Sequence, residues 1–173
     1  ISSKMYREMV KPYHAKVYQY IRENSSARIF LHSCGAIEEL LPDLIEIGVE
    51  IINPVQISAA GMEPGKLKRK YGKKLTFWGG GCETQDILPN GTIDDITANV
   101  RELVNAFKPG GGFVFTQVHN ILANIAPGPR TGLGNGFDRD FFFRRARFGL
   151  PKIRIGAGTN IQRHVFVFIL LNF

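Results

Sequence analysis

Two residues set close together, His32 and Cys34, carry the first chemical signal in this sequence, and Cys82 and His119 lie at two further points where similar chemistry could sit. Imidazole nitrogen and thiolate sulfur are donors that zinc favours in four-coordinate sites, and a catalytic zinc keeps one position open for water or substrate. His32-Ser33-Cys34-Gly35 follows the apolar run of residues 27–31 without a break. Side chains of an extended segment alternate with a period of two, so His32 and Cys34 point to the same side and can reach one ion. The plainer reading is a strand-end histidine bonded to backbone beside a cysteine packed as a small hydrophobe. On spacing alone that plainer reading is the commoner one. Cys82 read the same way is an inert small residue after the glycine run Gly79-Gly80-Gly81.

The elements that must position these residues follow a repeating order. Met5, Met9, Tyr13, Val17, Tyr20 and Ile21 recur at helical spacing, which predicts one apolar face of an N-terminal helix capped by Ser2 or Ser3. Pro12 falls inside that pattern and should kink the helix or start a second one, because it has no N–H and clashes with the preceding turn. Residues 27–31 then read as a buried strand. Ile37, Leu40, Leu41, Leu44 and Ile45 make the next helical face, Gly48 stops it, and residues 49–52 read as a strand ending at Asn53-Pro54. A charged helix over 66–71, closed by Gly72, leads to a third strand at 75–78 and the loop carrying Cys82, Glu83, Thr84 and Gln85. Thr92 caps a helix bearing Ile96, Val100, Leu103, Val104 and Phe107, with Asp94 and Asp95 in its first turn where the dipole favours acid. Gly110, Gly111 and Gly112 end it, and a fourth strand runs to Thr116.

Four strands, each preceded by a helix, predict an α/β protein with a parallel sheet and right-handed crossovers. Open doubly wound sheets and closed barrels both place chemistry at the C-terminal strand ends, where His32, Asn53, the three glycines and His119 all fall. A closed eight-stranded barrel usually needs about 250 residues, so this sequence is read as holding roughly half of one.

The net charge of +7 is unevenly placed: residues 1–127 hold 14 Lys and Arg against 13 Asp and Glu, and residues 128–173 hold 8 against 2. A nearly neutral body offers no electrostatic footprint for nucleic acid. The basic cluster Lys66, Lys68, Arg69, Lys70, Lys73 and Lys74 reads as a solvated outer helix face. Two cysteines make no disulfide framework, and no charged-then-apolar leader is read at the start, so a cytoplasmic setting is expected. The longest strongly apolar run, residues 165–171, is far shorter than the roughly 20 residues a spanning helix needs.

Taken together, Leu31-His32-Ser33-Cys34-Gly35, Ile52-Asn53-Pro54-Val55-Gln56, Thr76-Phe77-Trp78-Gly79-Gly80-Gly81 with Thr84-Gln85, and Gly111-Gly112-Phe113-Val114-Phe115 running to Val118-His119-Asn120-Ile121 resemble the uroporphyrinogen decarboxylase superfamily. The resemblance covers residues 1–127 and implies a TIM-type (β/α)8 barrel, represented by about its last four β/α units. The family implies either decarboxylation of a tetrapyrrole in porphyrin and heme biosynthesis, or methyl transfer with a corrinoid (cobalamin) cofactor or corrinoid protein. The His-X-Cys pair resembles the methyltransferase-like branch, where such a pair holds zinc, and the activity expected is therefore zinc-dependent methyl transfer. Zinc there would turn an incoming thiol into a thiolate or act as a Lewis acid on a methyl-ether oxygen. In zinc-dependent members the third ligand is a cysteine after the last strand. His119 stands in that place here and Cys82 is the alternative, with His119 also open to a role as general acid or substrate donor.

Asn53, Gln56, Gly79, Gly80, Gly81 and Gln85 are the expected contacts to substrate or cofactor. The glycines either let a corrinoid or tetrapyrrole ring approach the backbone or simply satisfy a turn. Glu83 and the two glutamines could hydrogen-bond at the rim, although solvated loop residues are the commoner case. Two rivals stand beside methyl transfer: tetrapyrrole decarboxylation without metal, and a non-catalytic binding fragment. Open barrel edges make self-association an expectation. Residues 128–173, with 8 of the 13 phenylalanines including Phe141, Phe142 and Phe143, lie outside the resemblance and show no sustained period. This basic tail is read as a frameshifted or misjoined end that contributes little to order.

Overall fold

A computed structural model describes residues 2–121 and the strand at 166–171. The Ser2 hydroxyl accepts the Met5 N–H and starts α1 (Ser3–Met5), which continues through a π-helical turn (Tyr6–Val10) into α2 (Lys11–Asn24). Pro12 sits in the first turn of α2. The wide π turn ahead of it takes up the carbonyl that the proline ring would otherwise strike. The remaining elements are β1 (Arg28–Ser33), a 3-10 turn (Glu38–Leu40), α3 (Leu41–Glu46), β2 (Ile51–Asn53), α4 (Pro64–Tyr71), β3 (Thr76–Trp78), α5 (Ile87–Asn90), α6 (Ile93–Phe107), β4 (Phe113–Val114) and β5 (Phe166–Leu171).

All strand pairs are parallel, in the order β4-β3-β2-β1-β5, so the first four lie side by side in sequence order. Register divides the sheet into two faces. Leu31 pairs with Ile52, Ile52 with Phe77 and Phe77 with Phe113, which makes one continuous apolar row. That row packs against Tyr6 and Tyr18, Leu40, Leu41 and Leu44, Leu67 and Tyr71, and Phe107, so all the long helices feed one core on one side of the sheet. The other face carries Phe30, His32, Ile51, Asn53 and Trp78. A doubly wound sheet would cover both faces with helices. The one-sided cover of the described residues is that of a segment of a (β/α)8 barrel, with His32 and Asn53 on the inner face.

The N-terminal helix departs from expectation. Met5, Met9, Tyr13, Val17 and Tyr20 are exposed, by 47% to 67%, while Tyr6 and Tyr18 are fully buried and Val10 and Ile21 pack beside them. Two neighbouring stripes share the same helical spacing, and the one that buries Tyr6 and Tyr18 faces the core. Arg7 and Lys11 then reach Asp43 on α3 at 2.9 and 2.7 Å, ion pairs consistent with that orientation.

The tail also departs from expectation. Residues 166–171 form β5 and pair with β1 along its whole length, from Arg28↔Phe166 to Ser33↔Leu171. A continuous run of Phe, Val, Ile and Leu, too short to span a membrane, is the pattern of a strand inside a parallel sheet. Phe141, Phe142, Phe143 and the rest of residues 128–165 lie outside the described residues. No helix among the described residues is long and apolar enough to cross a membrane.

Candidate functional site

β1 delivers His32 to the inner face, and Cys34 follows one alternation later, just before Gly35 at φ 91° turns the chain away. Cys34 Sγ stands 3.7 Å from His32 Nε2. His119 arrives from the far side of the sheet. Beyond the last formal β3–β4 pair the two chains go on exchanging backbone bonds: Gly79 N–H to Val114 O at 3.1 Å, Gly81 N–H to Thr116 O at 2.8 Å, and Val118 N–H to Cys82 O at 3.1 Å. The His119 N–H then donates to Thr84 Oγ1 at 3.2 Å. This irregular ladder carries His119 Nδ1 to 4.0 Å from Cys34 Sγ, across 85 residues of sequence.

Zn–S near 2.3 Å and Zn–N near 2.0–2.1 Å in a tetrahedron give a sulfur–nitrogen edge of about 3.6 Å. Both thiol–imidazole edges, 3.7 and 4.0 Å, are near that length. Among the described residues no group of three or more His, Cys, Asp and Glu side chains is already arranged to hold a metal ion. The constellation is therefore two edges sharing Cys34, with donor types and edge lengths that suit zinc, rather than a finished ligand triangle. Partial burial pushes the Cys34 thiol up from its ordinary value. Alone it is a protonated thiol, not a self-activated nucleophile.

Around this centre, His32 Nδ1 lies 2.7 Å from Asn53 Oδ1, and Asn53 Nδ2 donates to Trp78 O at 2.8 Å. Gln56 Oε1 accepts the Gly35 N–H at 2.8 Å, which ties the loop after β1 to the loop after β2. Gln85 accepts from the Ser58 hydroxyl at 3.2 Å on the rim. Cys82 is fully buried, its Sγ contacts the Glu83 carbonyl at 3.6 Å, and burial followed by the Glu83 charge pushes its thiol up to about 11.

The glycines approach protein. A Cβ on Gly79 would meet Val55 N at 3.2 Å, one on Gly80 the Val55 Cβ at 3.0 Å, and one on Gly81 the Phe115 ring at 2.6 Å. Glu83 is a backbone anchor, since its carboxylate accepts the N–H groups of Gln85, Asp86 and Ile87 at the start of α5. Sequence reasoning missed Thr84 and the Trp78 carbonyl. The first has a signal, a hydroxyl two residues beyond Cys82 in the turn after β3; a backbone carbonyl has none.

The family model described as uroporphyrinogen decarboxylase (URO-D) matches residues 1–128. The chain belongs to the uroporphyrinogen decarboxylase family. No curated protein and no solved structure matches it. For this uroporphyrinogen decarboxylase family chain, the parallel sheet with helices on one side is the corresponding part of a TIM-type barrel, and the matched residues include every side chain of the His32–Cys34–His119 constellation.

Proposed function

We propose that this chain carries the zinc-binding strand ends of a corrinoid-linked methyltransferase of the uroporphyrinogen decarboxylase family. One observation supports the reading above others: a thiol flanked by two imidazoles from opposite sides of the sheet, at edge lengths near those of tetrahedral zinc. His32, Cys34 and His119 would hold the ion. Bound there, zinc supplies Lewis acidity toward a thiol or a methyl-ether oxygen in its open position.

The chain's own groups define the rest. His32 and Cys34 are fixed by strand geometry, whereas His119 is fixed by the ladder to residues 79–84, so the third donor depends on the packing of two loops. The inner face beside them is apolar, with Phe30 and Trp78 rings 5.2 Å apart in an edge arrangement. Such a wall suits the flat face of a corrinoid. Arg28, the one arginine of the four central strands, sits at the opposite end of β1 and pairs with Glu50. Described strand ends thus offer no guanidinium for the carboxylates of a porphyrinogen.

The test is metal analysis of zinc-loaded, desalted protein, with thiol methylation from a methylated corrinoid as the activity. About one zinc per chain is expected, abolished by His32→Ala and Cys34→Ala and weakened by His119→Ala. A wild-type protein that takes up no zinc and decarboxylates a porphyrinogen would replace this reading with the decarboxylase one.

A further inference from the structure

We infer that Asn53 is a positioning residue that sets the tautomer of His32, so that the ring presents Nε2 as a bare lone pair beside Cys34. The Trp78 carbonyl oxygen can only accept a hydrogen bond. The end of the Asn53 side chain that lies 2.8 Å from it must therefore be the amide NH2. Its other end is then the amide oxygen, which also can only accept, and it lies 2.7 Å from His32 Nδ1. His32 Nδ1 must carry the proton. In the neutral ring the second nitrogen is then unprotonated, and that nitrogen is the one 3.7 Å from Cys34 Sγ.

The fold holds each member of this relay in place. His32 and Asn53 are direct cross-strand partners, so their side chains leave the same face of the parallel sheet. The β3 end turns beside the loop after β2 at Gly79, whose φ of +115° favours glycine and where a Cβ would sit 3.2 Å from Val55 N. A carbonyl with no freedom to rotate thereby orients an amide, and the amide orients an imidazole. A histidine that ligates metal through one nitrogen generally gives its other N–H to such an acceptor, and loss of the acceptor lowers metal affinity 10- to 100-fold.

The metal half of this inference rests on the zinc reading, whereas the tautomer does not, and the experiment separates them. Two-bond proton–nitrogen correlation spectra of the full, metal-free, nitrogen-15-labelled chain at about pH 8, above the ordinary imidazole pKa, report which ring nitrogen is protonated. His32 is assigned by the signal lost in His32→Gln. The wild type should show a protonated Nδ1 and a bare Nε2. Asn53→Ala should lose that pattern, with a 10- to 100-fold fall in zinc affinity. A proton on Nε2 in the wild type, which requires no variant to fold, overturns the inference, as does an unchanged spectrum in Asn53→Ala. Should the wild type show the expected tautomer yet bind no zinc, the functional reading fails while the role of Asn53 toward His32 stands.

Discussion

Replacing Gly81 with alanine should weaken zinc binding without touching a ligand. The added Cβ would lie 2.6 Å from Cδ2 and Cε2 of Phe115 and 2.8 Å from Thr116 O. The Phe115 ring is partly exposed and can swing aside. The Thr116 carbonyl cannot, because it accepts the Gly81 N–H itself at 2.8 Å. Relief therefore comes from separating the two backbones by several tenths of an ångström, at an overpacking cost of about 1–3 kcal/mol. The next rungs are Val118 to Cys82 and His119 to Thr84, so the same displacement moves His119 away from Cys34. Urea unfolding followed by the fluorescence of Trp78, the single tryptophan, measures the stability loss, and a competitive zinc titration measures the site. Gly110→Ala serves as the control. It has φ +73° and nothing within 4 Å of the added Cβ, so it should cost about 1–2 kcal/mol through backbone strain alone and leave zinc affinity unchanged. If Gly81→Ala matched the wild type in both measurements, or lost stability while binding zinc as tightly, the ladder would not be what positions His119.

Three further outcomes are expected. In the native chain a thiol reagent should titrate Cys34, which is exposed, and spare the buried Cys82; both should react in denaturant, and zinc should protect Cys34. Asp43 is held below the usual carboxylate range by its bonds to Lys11 and Arg7, so the stabilisation it gives is present above the ordinary aspartate pKa, near 4, and is lost as pH falls through the depressed folded value. Asp43→Asn should accordingly flatten the acid limb of a stability-versus-pH curve measured by denaturant unfolding, and an unchanged limb would refute this. Deleting residues 166–173 should expose the β1 edge that β5 covers, giving a less cooperative unfolding transition and self-association in sedimentation; equal stability and a monodisperse monomer would show that β5 does not hold that edge.

The sheet was legible because its pattern is local. Each short apolar run is bounded by glycine or proline, and each is preceded by a helical period with its own stop, so four parallel strands in sequence order follow from counting. Periodicity could not say which of two adjacent stripes on the first helix faces inward. Tyr6 and Tyr18, not Met5, Met9 and Tyr13, face the core, and the Arg7 and Lys11 bonds to Asp43 on α3 that accompany this orientation span more than thirty residues and leave no periodic trace. The strand at 166–171 is hidden for the opposite reason. Its composition was plain, but a strand needs an edge to join, and the free side of β1 is a property of the assembled sheet.

The site divides along the same line. That His32 and Cys34 share a side follows from strand alternation over two residues, and the structure sets them 3.7 Å apart. Between His119 and Cys82, alternation has no purchase, because both follow strand ends and both carry a donor. What separates them is the direction in which each leaves the ladder that joins residues 79–84 to 114–119. Cys82 offers its backbone carbonyl to Val118 and buries its sulfur fully, whereas His119 bonds through its backbone to Thr84 and leaves its ring directed at Cys34. The glycines belong to the same device. Gly79 and Gly80 let the loop after β3 close on Val55 after β2, Gly81 lets it close on Phe115 after β4, and the second of these contacts lies on the ladder that carries His119 toward Cys34 at the end of β1. The spacing of motifs along the chain picks out candidate donors, and the packing of small residues between the loops sets which of them lie close together.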